Sequence, residues 1–223
     1  MAPIVIHHMH VSQSERIPWL CEELGVPYEL KEYRRSPVLA PPEIVSLHPS
    51  GTVPVIEDGD LMLAESCAIL EYIAHRHGGG RLFVGPSDPA YADFLFWWHW
   101  ADGTLQPAML RVLYMGMARL EQDHSSMLAA KDRRARALRQ LEDRLAANRW
   151  LAGGDRFTAA DVMVVFSLTT ARRFAPVDLG EYPNILRFLA DVGEREAYKT
   201  AMAKCEPDLE LALGAAPPKS FFA

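Results

Sequence analysis

The hydrophobic periodicity of this chain changes once, near residue 80, and that change limits the fold more than any other feature. Before it, short apolar runs alternate with helical stripes. Ile4, Val5 and Ile6 read as one strand and Tyr28–Tyr33 as a second. Between them Ile17, Leu20, Cys21 and Leu24 repeat at helical spacing, and Gly25 with Pro27 stops that helix. Val53–Glu57, the Asp58-Gly59 turn and Leu61–Ala64 predict an antiparallel hairpin. A helix with Ile69, Tyr72 and Ile73 on its apolar face follows, ending at Gly78-Gly79-Gly80. A β-α-β unit joined to a hairpin and a helix makes a mixed four-stranded sheet in a small α/β domain.

Arg81–Pro89 carries Gly and Pro without periodicity and reads as a linker. Beyond it the pattern is helical throughout: Tyr91–Leu105, Pro107–Asp123, Lys131–Asn148, Ala159–Arg173, Asn184–Val192 and Arg195–Ala203. Thr158 and Asp161 have capping-box spacing, and the VMVVFSL run behind them is apolar on nearly every side, as an enclosed helix must be. The closing AAPPKSFFA reads as a tail. The expected organisation is an α/β domain over residues 1–80, a linker over 81–89 and an all-α helical bundle over 90–223.

With 223 residues, 49% of them hydrophobic, the chain can bury a core without disulfide staples. Its 23 basic and 29 acidic side chains sum to −6, with no basic run long enough to follow a phosphate backbone, which argues against a nucleic-acid partner. The strongest apolar run, Val162–Phe166, is far shorter than the roughly 20 residues that span a bilayer. Cys21, Cys67 and Cys205 are widely separated and fit a reducing compartment; with no signal-peptide pattern at the N-terminus, the expectation is a cytoplasmic protein. His8 and His10 share a strand face, but no neighbouring cysteine or carboxylate completes a metal set, so no metal is expected.

Three segments of the first domain could carry chemistry. Ser12 and Ser14 lie just before the first helix, where backbone N–H groups and the positive helix end stabilise an anion; Ser12-x-x-Glu15 also fits a simple capping box. Val53-Pro54 opens a strand, is a candidate for a cis bond, and leaves a strand end for an extended peptide-like ligand; an ordinary edge proline fits equally well. Glu65-Ser66 precedes a helix, so Ser66 can meet a carboxylate and Glu65 an ammonium, or Ser66 can serve as a plain cap.

Ser-x-Ser-x-Arg followed by WLCEELGVPYEL, then LHPSGTVPVIEDGD and LAESCAILEYI, resembles the glutathione-binding domain of cytosolic glutathione S-transferases. WLAGGDRFTAADVMV and EYPNILRFLADVGEREAYKTAM resemble that family's helical domain. The resemblance implies a thioredoxin-like first domain, an all-helical second one and a homodimer with a detoxification role. It implies glutathione as co-substrate, with no further cofactor, and an apolar electrophile as second substrate. It assigns Val53 and Pro54 to the cysteinyl backbone of glutathione, Glu65 and Ser66 to its γ-glutamyl end, and Ser12 to the thiolate, with Ser14 as runner-up. Where many relatives have Lys or His for the glycyl carboxylate this chain has Gly51-Thr52, leaving His48 or Arg35 as substitutes. Trp100, Met109 and Tyr114 are the candidates for the electrophile pocket. The alternatives are glutathione-dependent peroxide or disulfide reduction, and a non-catalytic glutathione- or ligand-binding regulatory protein.

Overall fold

A computed structural model describes residues 3–36 and 39–222. Residues 1, 2 and 223, at the outer bounds of the two expected domains, lie outside the described residues. The chain divides into two compact units, Met1–Phe83 with Gly193–Glu210, and Val84–Val192 with Leu211–Ala223.

The first unit is thioredoxin-like. Its sheet contains β1 (Ile4–Met9), β2 (Tyr28–Tyr33), β3 (Val55–Asp58) and β4 (Leu61–Ala64) in the order β2-β1-β3-β4. β1 runs parallel to β2 and antiparallel to β3, which is antiparallel to β4. The parallel pair is joined by a crossover, α1 (Arg16–Leu24), as a parallel connection requires. Ile17, Leu20, Cys21 and Leu24 are buried on α1, and Gly25 ends it at φ 66°, a left-handed conformation that favours glycine. α3 (Ser66–Arg76) buries Ile69, Leu70 and Ile73. The mixed four-stranded sheet thus has the expected strands in the expected order along the chain.

One short helix escaped the periodicity. α2 (Pro42–Leu47) buries only Ile44 along its length, so it offers almost no apolar stripe; its one signal is the proline at its start. Ile44 packs with Met9 and Val53, which fastens the approach to β3 onto the end of β1.

The last helix, α9 (Glu196–Cys205), belongs to the first unit although it lies in the expected helical domain. It packs along α1: the rings of Trp19 and Tyr198 meet edge-on at 4.9 Å, and Arg195 grips Glu23 through two hydrogen bonds of 2.6 and 2.7 Å. Such a fork-to-fork pair fixes orientation as well as distance.

The second unit is helical. α4 (Tyr91–Trp100) and α5 (Gln106–Met117) are joined without a break by a π turn over Ala101–Leu105, where two separate helices were expected. Gln106 N–H donates to Ala101 C=O, five residues back. The wider turn accommodates Pro107, whose ring would otherwise press on the carbonyl four residues before it. α6 (Ser125–Ala147) begins six residues earlier than expected, with His124 Nδ1 accepting from Ser126 N–H at 3.2 Å.

α7 (Ala159–Leu168) is buried at every position, as its composition requires. Its capping box is present: one Asp161 carboxylate oxygen accepts from Thr158 N–H at 2.8 Å and from the Thr158 hydroxyl at 3.0 Å. The other oxygen accepts from Leu151 N–H at 2.9 Å. α8 (Pro183–Gly193) buries Ile185, Phe188, Leu189 and Val192.

The closing segment is anchored, contrary to its reading as a loose tail. The buried Arg172 guanidinium donates to Gly214 C=O at 2.9 Å, Ala215 C=O at 2.6 Å and Val177 C=O at 3.0 Å. Phe221 N–H donates to Arg173 C=O at 2.7 Å, and the Phe221 and Phe174 rings lie 4.9 Å apart.

Candidate functional site

The sheet register gathers the three sequence-predicted segments. His7 pairs with Val55 and Val55 with Ala64, so the end of β1, the start of β3 and the end of β4 lie at one end of the sheet. The Ser12–Ser14 loop, Val53-Pro54 and Glu65-Ser66 continue from those three strand ends. Gln13 ties the first to the second: its side-chain amide donates to Val53 C=O at 2.8 Å. The Val53 carbonyl at that strand end is therefore already engaged within the chain.

The Val53-Pro54 bond is cis. Both residues are buried, and β3 begins immediately afterwards at Val55.

Glu65 and Ser66 form the most unusual corner. Glu65 is exposed and holds φ 76° and ψ 120°, a region that side-chain-bearing residues rarely occupy. Ser66, at the first position of the eleven-residue α3, is only 5% exposed, and its hydroxyl has no hydrogen-bond partner among the described residues. No side chain caps α3, so the start of this helix combines uncapped N–H groups, a positive dipole end and an orphaned hydroxyl. That is the chemistry of a site for a carboxylate, with the Glu65 carboxylate beside it for a cation.

Ser12 and Ser14 are both buried and belong to one hydrogen-bonded chain. The Ser12 hydroxyl donates to Met9 C=O at 2.6 Å, accepts from Ser14 N–H at 3.3 Å, and lies 2.7 Å from the Ser14 hydroxyl. Ser14 Oγ lies 2.8 Å from His8 Nδ1, and His8 Nε2 donates to Cys205 C=O at 3.0 Å. Ser12 therefore caps the short 3-10 turn Gln13–Glu15 that leads into α1. Pro18 falls in the first turn of α1, where its missing N–H has no partner to lose.

The loop before it is held from both sides. Val11, β-branched yet at φ 56°, gives its N–H to Glu206 Oε1 at 2.5 Å and receives Arg35 Nη2 on its C=O at 2.7 Å. Glu206 also lies 3.3 Å from both His8 Nε2 and His10 Nδ1. Burial pushes its carboxyl up, but the His8 hydrogen bond and charge, Val11 N–H and His10 together hold it below the ordinary range. The donor atoms of His8, His10 and Glu206 all lie within 4.8 Å of one another, so the fold brings in the carboxylate that the neighbouring sequence lacks. Glu206 stands 196 residues from His10 along the chain, and no local pattern announces it.

Of the two substitutes for the glycyl contact, Arg35 is committed to Val11. His48 is partly exposed and accepts Ser50 N–H at 3.2 Å through Nδ1. The electrophile candidates fall in the second unit. Trp100 and Met109 are buried, Trp100 Nε1 donating to Gln140 at 3.0 Å, while Tyr114 is 62% exposed.

Comparison with known proteins gives this geometry its context. Residues 12–76 match the family description "Glutathione S-transferase, N-terminal domain" and residues 80–196 match "Glutathione S-transferase, C-terminal domain". Glutathione S-transferase 3 of Schizosaccharomyces pombe is 31% identical over 218 residues, covering 91% of this chain and 88% of the relative. Among solved structures, a glutathione S-transferase from Actinobacillus pleuropneumoniae superposes with a TM-score of 0.81 at 29% identity, covering 94% of this chain and 98% of its own. A theta-class glutathione S-transferase from Xanthomonas axonopodis pv. citri, with glutathione bound, superposes with a TM-score of 0.70 at 29% identity, covering 90% and 97%. Two family domains in order, over nearly the whole chain, place this protein in the glutathione S-transferase family of enzymes.

Proposed function

We propose that the chain binds glutathione across this end of the sheet and activates its thiol for attack on an apolar electrophile. The observation that carries the reading is the orphaned, buried Ser66 hydroxyl at the uncapped start of α3, beside an exposed carboxylate held at positive φ. A ligand with a carboxylate and an ammonium on one carbon, as at the γ-glutamyl end of glutathione, satisfies both groups together. Val53, beside the cis bond, offers backbone for the cysteinyl unit, and Ser12 is the first candidate for its sulfur, with Ser14, whose hydroxyl lies 2.7 Å away, as runner-up.

The chemical demand is modest. A thiol of pKa about 8.5 is about 3% ionised at pH 7, and lowering it to about 6.5 ionises about 75% at a cost of about 2.7 kcal/mol. One charged hydrogen bond of about 1.5–3 kcal/mol with a helix-end contribution of about 0.3–1 kcal/mol covers that. Glutathione brings the nucleophile, so the protein need supply only position and charge stabilisation. Of the three candidates for the electrophile, Tyr114 is exposed enough to meet it, whereas Trp100 and Met109 are buried in the core of the second unit.

Binding is tested by thermal unfolding and calorimetry with glutathione. Ligand at about 100 times its Kd should add roughly 2.7 kcal/mol of stability. Glu65→Ala should weaken glutathione more than an analogue lacking the γ-glutamyl amine, and Ser66→Ala should weaken both. Absence of any thermal shift at millimolar glutathione would remove the site.

A second reading, glutathione binding without turnover, is favoured by one observation: the Ser12 proton is committed to Met9 C=O, and must leave it to reach a sulfur. Turnover with a panel of electrophiles and peroxides separates the two, and its substrate pattern separates conjugation from peroxide reduction.

A further inference from the structure

His8, His10 and Glu206 form a cluster that the glutathione reading does not use. His8 lies near the end of β1, His10 follows that strand directly, and Glu206 caps the end of α9. All three belong to the first unit. Their ring nitrogens and carboxylate lie within 4.8 Å of one another, with His8 Nε2 at 3.3 Å from Glu206 Oε1 and His10 Nδ1 at 3.3 Å from Glu206 Oε2. A tetrahedral ion with bonds of about 2.0–2.1 Å holds its ligands about 3.3 Å apart. The sequence argues against a metal only because no carboxylate stands near the two histidines along the chain, and the fold supplies one.

The hydrogen bonds around the cluster make a place for a cation. Three short contacts run from Met9 C=O to Ser12 Oγ at 2.6 Å, on to Ser14 Oγ at 2.7 Å, and on to His8 Nδ1 at 2.8 Å. Each needs one hydrogen. The two hydroxyls supply two, so the third sits on His8 Nδ1. His8 Nε2 then points between two acceptors, Cys205 C=O at 3.0 Å and Glu206 Oε1 at 3.3 Å. A bare lone pair there would face two others, so the position requires a positive species, either a second proton or a metal ion. Glu206 is buried, and among the described residues no lysine or arginine lies within ion-pair distance of it; the two histidines are its partners. Burying a carboxylate is costly without a cation beside it.

Each histidine also has an oxygen on its far side. Ser14 Oγ accepts from His8 Nδ1, and Glu32 lies 3.7 Å from His10 Nε2. Occupying the outer nitrogens in this way aims His8 Nε2 and His10 Nδ1 at Glu206, as the outer partners of metal-bound imidazoles do. His10, 16% exposed, is the way in from solvent.

We propose that His8 Nε2, His10 Nδ1 and the Glu206 carboxylate bind a divalent ion of the zinc type, which takes the place of the hydrogen between His8 and Glu206 and completes its coordination with water. Two imidazoles and one carboxylate suit zinc, whereas magnesium and calcium favour oxygen throughout. The ion clamps the end of α9 to the end of β1 across 196 residues of chain.

Zinc titrated into the whole chain after chelator treatment tests the site, with glutathione absent because its thiol binds zinc itself. Calorimetry should show one zinc per chain, held at least about tenfold tighter than magnesium, and zinc should raise the melting temperature. Cobalt in place of zinc should give ligand-field bands without a thiolate charge-transfer band. His10→Gln and Glu206→Gln should each weaken zinc at least about tenfold, since loss of even an outer partner costs about 10–100-fold. Glu206→Gln keeps an oxygen for Val11 N–H, and the His10 side chain holds no backbone group among the described residues, so both variants should melt near the parent when zinc is absent. No stoichiometric zinc, undiminished zinc in folded His10→Gln, magnesium bound as tightly as zinc, or a thiolate band with cobalt would each overturn the assignment.

Discussion

At the scale of single residues, the sharpest question is what Ser12 does. Its hydroxyl caps a turn, so Ser12→Ala should lower folding stability by about 1 kcal/mol in denaturant unfolding. If it also faces the sulfur, the same substitution should raise the pKa of the bound thiol by about one or more, read from the ultraviolet absorbance of the thiolate. A pKa that moves with Ser14→Ala and stays fixed in Ser12→Ala would transfer the role along the chain of hydroxyls. Glu65 poses a second question, because its backbone is strained for any residue with a Cβ. Glu65→Gly should therefore be more stable than Glu65→Ala by about 1 kcal/mol while binding glutathione no better. Equal melting temperatures for the two variants would mean that φ relaxes in solution. A strained residue with an exposed carboxylate is what a binding role predicts and what a purely structural role does not.

Elements show where sequence reasoning succeeds and where it stops. The hairpin of β3 and β4 was legible because Asp58-Gly59 and the flanking apolar residues all favour one register. Asp58 does more than turn the chain: its carboxylate accepts from Tyr72 at 2.8 Å and His77 at 2.7 Å, joining the hairpin to the middle and the C-terminal end of α3. The Tyr72 hydrogen bond, then that of His77, hold this carboxyl below its ordinary value. A depressed folded-state pKa adds stability above the unfolded value, near 3.9, and that stability disappears as pH falls through the folded value. Melting curves of the parent and Asp58→Asn should therefore separate near neutral pH and converge in acid; a constant gap would deny the linkage. The π turn was illegible because Pro107 signals a break, and only packing decides between a break and a widened turn. α2 was illegible because one buried side chain makes no period. In the candidate site, Ser12, Val53 and Ser66 were legible from local pattern, whereas Gln13, Arg35 and Glu206 act through contacts that only the folded chain creates.

For the whole molecule, the family implies a homodimer, and we expect sedimentation at micromolar concentration to show twice 25.0 kDa; a single species at 25.0 kDa would refute it. The sequence reading of the whole was right about the change from a mixed sheet to helices near residue 80 and silent about the return of α9 to the first unit. Helical period says that a segment is a helix and nothing about which neighbour covers it.

That return has a consequence for how the chain is made. Trp19 needs Tyr198 against it, Glu23 needs Arg195, and His8 needs Cys205 C=O, so the first unit is complete only after its last helix has been synthesised. At about 5–20 residues per second, a ribosome that has finished residue 83 needs on the order of ten seconds to reach α9. During that interval the nascent sheet presents an uncovered tryptophan and a buried-type histidine to whatever surrounds it, and chaperone occupancy of a translating ribosome should fall when α9 emerges rather than when the linker does.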